Sequence, residues 1–156
     1  MSDKVEDILY KAYGEGIWSD VLSVSKSLEG KHYHTYGDKI EEAYNIVKTK
    51  KEMLAAIPSI QPIANKDLTR LASGFGFRMH PIYKIKKMHT GIDFTADRGT
   101  DIYATGNGVI EKAGRMSGYG KVVIIDHGFG YKSLYAHCSK QMAKVGQKVK
   151  KGEVIV

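Results

Sequence analysis

The hydrophobic period of this chain changes from helical to alternating at Pro58, and that change limits what it can fold into. Before it, Ile40, Tyr44, Val47, Leu54 and Ile57 fall near one face of a helix, while Glu41, Glu42, Lys48 and Lys51 fall largely elsewhere. Thr35 or Asp38 supplies the cap, and Pro58 ends the helix. A helix is expected from Val5 to about Tyr13 and another apolar-rich piece from Ile17 to Leu28, parted by Gly14 and Gly16. After Pro58, residues Ser59 to Ile63 are expected to be extended, because Pro62 disfavours helix before it. Short strands bounded by glycine follow: Thr100 to Ala104, Gly108 to Ala113, Lys121 to His127, Tyr131 to His137 and Glu153 to Val156. Gly128-Phe129-Gly130 is short enough to close a hairpin. The pattern predicts a mainly β protein: a helical segment over 1–57 and an antiparallel β domain over 58–156, not an alternating βαβ chain.

Charge follows the same division. Through Ile57 there are 8 Lys+Arg against 10 Asp+Glu; from Pro58 there are 16 against 7, a net of +9. A basic domain suits nucleic acid, an anionic membrane or an acidic polymer. Its lysines are scattered apart from a cluster at Lys144, Lys148, Lys150 and Lys151, and no nucleic-acid motif accompanies them, so no nucleic-acid partner is expected. No apolar run approaches the ~18 residues that span a bilayer, and Met1-Ser2-Asp3-Lys4 does not open a signal peptide. Composition leaves open a cytoplasmic protein and one exported by an upstream segment. The single cysteine, Cys138, excludes an intrachain disulfide and a cysteine-based zinc site. It follows His137, but neighbours on a strand point to opposite faces, so a small buried residue is expected there rather than a Cys–His nucleophile.

Two stretches carry the chemistry. His89 and Asp93 have even spacing, so an extended chain puts both on one face, and Gly91 between them permits a bend. Zinc accepts imidazole nitrogen and carboxylate oxygen, usually three protein ligands at a catalytic site. By spacing alone, the pair reads first as a polar couple at a strand edge. Later, Tyr131, Ser133, Tyr135 and His137 alternate with Lys132, Leu134 and Ala136. That gives a polar-aromatic face ending in histidine, which suits a substrate groove lined by Tyr135 and is equally the pattern of a solvated sheet face.

The ordered series around these stretches is more specific. Ser73-Gly74-Phe75-Gly76-Phe77-Arg78-Met79-His80-Pro81 is followed by His89-Thr90-Gly91-Ile92-Asp93 and by Gly99 to Ala104. Gly106-Asn107-Gly108-Val109, Gly118-Tyr119-Gly120, Ile125-Asp126-His127-Gly128, Tyr131 to His137 and Val145 to Gly152 then follow in order. Over about residues 59–156 the chain resembles the M23 family of zinc metallopeptidases, the lysostaphin and LytM type. The resemblance implies two antiparallel sheets forming a groove, a zinc ion, and cleavage of peptide cross-links in bacterial peptidoglycan. It implies His89 and Asp93 as metal ligands, His137 as a catalytic histidine that does not bind the metal, and Arg78 and His80 as substrate-binding residues of the loop lining the groove. It also implies a cell-envelope location, periplasmic or extracellular, and is compatible with a membrane anchor in the parent protein.

The family pattern continues to a His-x-His motif that supplies the third ligand, and the sequence reaches Val156 without it. The chain is therefore expected to be a fold incomplete at its C-terminus, with two zinc ligands, impaired as it stands and less stable than a longer form. His80 and the His32-Tyr33-His34 stretch are the substitutes at hand for a third ligand; His127 reads as structural. Two other functions compete: a non-catalytic cell-wall-binding or hydrolase-activating LytM-like module, and a biotinyl- or lipoyl-type carrier. The carrier lacks a modifiable lysine hairpin and leaves His89 and Asp93 unexplained.

Overall fold

The computed structural model describes residues 15–79, 84–140 and 142–156, so the helix expected over Val5 to Tyr13 lies outside the described residues. The chain forms two compact units, Met1–Leu54 and Ala55–Val156. In the first, α1 (Glu15–Ser27) and α2 (Tyr36–Ala56) bury Val21, Leu28, Ile40, Ala43 and Val47 against each other. Positions 40, 43 and 47 recur at the helical spacing that makes one stripe. Thr35 and Asp38 cap α2 reciprocally: Thr35 Oγ1 accepts from the Asp38 amide at 3.1 Å, and Asp38 Oδ2 accepts from the Thr35 amide at 2.9 Å. Both expected caps are therefore used, in the manner of a capping box. Leu54, expected on the apolar stripe, is instead 61% exposed. In the loop before α2, Tyr33 donates to Glu42 at 2.7 Å. Loss of hydration and the neighbouring carboxylate push its phenol up to about 12.

The second unit begins with the last residues of α2, where Ala55 O accepts from the Asn107 amide at 2.9 Å. Its largest sheet runs in the order β7-β6-β5-β8: β5 (Gly108–Met116), β6 (Gly120–Gly128), β7 (Tyr131–Tyr135) and β8 (Lys148–Val149). All its pairings are antiparallel, and Gly128-Phe129-Gly130 closes the β6–β7 hairpin as its spacing predicts. A bulge between Ile110 and Lys112 shifts the β5–β6 register. Beneath the sheet, Ile110, Val123, Ile125, Val149 and Ile155 are buried with Ala104 and Tyr135. Each fully buried isoleucine contributes about 1.5–3 kcal/mol of transfer free energy. Gly108 is required by close approach: a Cβ there would meet the Asp126 carbonyl oxygen at 2.5 Å.

Thr100 to Ala104 and Glu153 to Val156, expected as strands, form no regular ladder. They are extended segments bonded to each other, with Ala104 N donating to Glu153 O and Ile155 N to Ile102 O, both at 2.8 Å, around one Tyr103–Val154 bridge. The remaining strands make two small antiparallel pairs: β1 (Arg70–Ser73) with β4 (Asp93–Thr95), and β2 (Gly76–Met79) with β3 (Lys86–His89). No helix among the described residues is long and apolar enough to cross a membrane.

Candidate metal centre

The two small pairs are successive parts of one ribbon. β1 leads into β2 through Gly74 and Phe75, and β3 leads into β4 through residues 90–92, so the ribbon turns a corner on both strands at once. Ser73 stands opposite Asp93 on one side of the corner, and Gly76 stands opposite His89 on the other. Gly76 has φ +126°, a conformation closed to side-chain-bearing residues without strain. His89 and Asp93, expected on one strand bent at Gly91, thus end one strand and begin another.

The corner brings their side chains together. His89 Nε2 lies 3.2 Å from Asp93 Oδ1. His89 Nδ1 lies 2.7 Å from the Gly74 carbonyl oxygen, which can only accept, so Nδ1 carries a proton, and in the neutral ring the lone pair that a metal would take is on Nε2. Two donors on one tetrahedral zinc at 2.0–2.1 Å stand roughly 3.3 Å apart. The separation and the tautomer both suit one edge of such a set. The other carboxylate oxygen, Oδ2, pairs with an Arg78 guanidinium nitrogen at 3.3 Å. Both partners are partly exposed, so this ion pair contributes at most about 1 kcal/mol to folding.

Among the described residues no group of three His, Cys, Asp or Glu side chains is placed to hold one ion. His80 lies outside the described residues. His32 and His34 are exposed on the loop between α1 and α2 in the first unit. His127 is structural, as expected: it is buried, with Nδ1 on the Asn107 carbonyl and Nε2 on Ser133 Oγ, both at 2.7 Å.

His137 is exposed and lies beyond β7, which ends two residues earlier than its alternation predicts. Its backbone is left-handed, φ +57°, and its amide donates to Tyr119 O at 2.9 Å. Cys138 N donates to Lys121 O, and Lys121 Nζ to Ser139 O at 2.8 Å, so the turn carrying His137 is tied to the start of β6. Non-glycine residues in this region are uncommon and concentrate at functional sites. Cys138 is buried, and burial pushes its thiol pKa up, which keeps it protonated and unreactive.

The groove role expected of Tyr135 is corrected. Tyr135 is 7% exposed, and its hydroxyl accepts from the Thr105 amide and bonds Thr105 Oγ1, both at 2.8 Å. Ser133 Oγ completes the cluster at 3.0 Å. Ser133 and Tyr135, in the middle of that face, turn inward where their hydroxyls find partners, while Tyr131 and His137 at its two ends and Leu134 on the other face are exposed. Sequence reasoning missed the Gly74 carbonyl as a partner of His89. The glycines at 74 and 76, which mark the corner, were its signal.

Comparison with known proteins identifies the family. The family model described as peptidase family M23 matches residues 87–156. The catalytic domain of lysostaphin from Staphylococcus simulans aligns with 58% of this chain and 67% of its own, at 31% identity and a TM-score of 0.52. The chain belongs to peptidase family M23. A zinc-containing peptidase from Vibrio cholerae is a further structural match, with 33% identity and a TM-score of 0.56 over 60% of this chain and 29% of that one. Among curated relatives, the DD-carboxypeptidase/endopeptidase Mpg of Neisseria meningitidis is 45% identical over 97 residues, covering 62% of this chain and 22% of Mpg. The peptidoglycan DD-endopeptidase ShyA of Vibrio cholerae is 32% identical over 128 residues, 81% of this chain and 26% of ShyA. The chain thus spans about a quarter or less of the length of the curated relatives it matches. The M23 fold accounts for the mainly β second unit with its antiparallel sheets.

Proposed function

We propose that this chain is part of a zinc metalloendopeptidase that hydrolyses peptide cross-links of peptidoglycan. The observation that carries the reading is the His89–Asp93 pair, set at the separation of two zinc donors with the imidazole held in the donating tautomer. Its M23 membership and the peptidoglycan DD-endopeptidase ShyA among its relatives support the substrate class. In this reading His89 Nε2 and Asp93 Oδ1 hold the metal, and the remaining protein donor comes from outside the described residues. Bound zinc supplies Lewis acidity toward the scissile carbonyl. His137, exposed on its braced turn, moves a proton or hydrogen-bonds the developing oxyanion. Arg78 and His80 border the substrate, and the net charge of +9 from Pro58 onward suits a wall polymer bearing carboxylates. The protein then works in the cell envelope, in the periplasm or outside the cell.

The test is zinc content and hydrolysis of purified cross-linked muropeptides by the intact protein, its His89→Ala and Asp93→Ala variants, and His137→Ala. We expect stoichiometric zinc in the parent, zinc loss in the first two variants, and retained zinc with activity down by ~100-fold or more in the third. Full hydrolysis by His89→Ala would refute the metal reading. Peptidoglycan binding without any cleavage by the parent would identify a non-catalytic wall-binding or hydrolase-activating module instead.

A further inference from the structure

We infer that Arg78 is a positioning residue for the metal carboxylate: it occupies Asp93 Oδ2 so that Oδ1 alone is presented beside His89 Nε2. The inference deepens the zinc reading above and rests on it.

Three observations carry it. The two oxygens of Asp93 are assigned to different partners, Oδ1 to His89 at 3.2 Å and Oδ2 to Arg78 at 3.3 Å. Arg78 sits where the strand's alternation sends it to that side: Gly76 faces His89 in the β2–β3 register, and position 78 shares the face of 76. Phe77 and Met79, on the opposite face, are 71% and 62% exposed, and Lys86 lies over the Phe77 ring, away from the carboxylate. Finally, the same stretch of chain holds the other donor, since the Gly74 carbonyl takes His89 Nδ1–H. Residues 74–78 therefore engage Nδ1 of one donor and Oδ2 of the other, which leaves His89 Nε2 and Asp93 Oδ1 beside each other at 3.2 Å.

A ligating carboxylate with an unengaged second oxygen can rotate or chelate through both. A guanidinium on that oxygen removes the freedom, as outer partners of metal ligands generally do. The ion pair is too exposed to be explained by a contribution to folding.

Zinc affinity separates this role from the two others open to Arg78. It is measured on the intact protein by competition with a chromophoric chelator, for wild type, Arg78→Gln and Arg78→Lys, with the fold of each checked by circular dichroism. A positioning role predicts affinity weaker by ~10-fold or more in Arg78→Gln, with partial recovery in Arg78→Lys. Unchanged affinity with a raised KM for muropeptide would make Arg78 a substrate contact only, and tighter binding would make it a competitor of the metal; either overturns the inference. Arg78→Lys keeps the test open if Arg78→Gln does not fold. A wild type that binds no zinc would overturn the metal reading itself, whereas zinc-binding wild type with unaffected variants overturns only the role of Arg78.

Discussion

The four-stranded sheet and the bent ribbon belong to one unit but are held by different forces. Behind β5, β6 and β7 the side chains of Ile110, Val123 and Ile125 are removed from water, and Tyr135 brings its hydroxyl in with partners already waiting. In the ribbon every position of β1 to β4 is exposed or half-buried. Its shape comes from backbone pairing, a left-handed glycine, and the tethers from Gly74 and Arg78. The sheet therefore carries the stability, and the ribbon, which holds the proposed ligands His89 and Asp93, adds little to it. Function and folding can fail separately in this unit.

Substitutions on the two sides can break that contrast. Ile125→Ala should have the largest effect, destabilising by about 2–5 kcal/mol through lost transfer energy and a cavity, read as a lower denaturation midpoint in urea. A shift of a few tenths would show that the sheet is not the stabilising element. Tyr135→Phe should cost about 1–3 kcal/mol, because it takes the hydroxyl partner from the buried Thr105 amide and Oγ1, while Ser133 Oγ keeps His127. A groove role would instead leave the midpoint unmoved and raise KM, restoring the reading that the structure corrects. Phe77→Ser in the ribbon should be smallest, under about 1 kcal/mol, since the side chain is largely solvated and loses only an exposed cation–π contact with Lys86. A large loss of stability there would mean that the ribbon's outer face is part of a core.

The same contrast decides what was legible in the sequence. Gly128-Phe129-Gly130 announced its hairpin because turn chemistry is local, and the helical stripe around Ile40 and Val47 announced α2 for the same reason. His89 and Asp93 were legible as donors through the motifs around them. That they belong to different strands was not, because the corner depends on both arms of the ribbon turning together. Tyr135 misled for another local reason. Alternation shows that Ser133 and Tyr135 share a face but not which face is buried, and a hydroxyl-rich face can go inward when Thr105 and His127 are there to satisfy it. Arg78 was legible as a cation for a carboxylate; that the carboxylate is Asp93 required coordinates.

Cys138, the chain's one thiol, is buried one residue beyond His137. Since its neighbours hold the turn shut through Tyr119 and Lys121, a thiol reagent meets the sulfur only in molecules whose turn has opened. The residue thus serves as a built-in clock: its labelling rate in the native protein counts how often the His137 turn leaves its closed geometry.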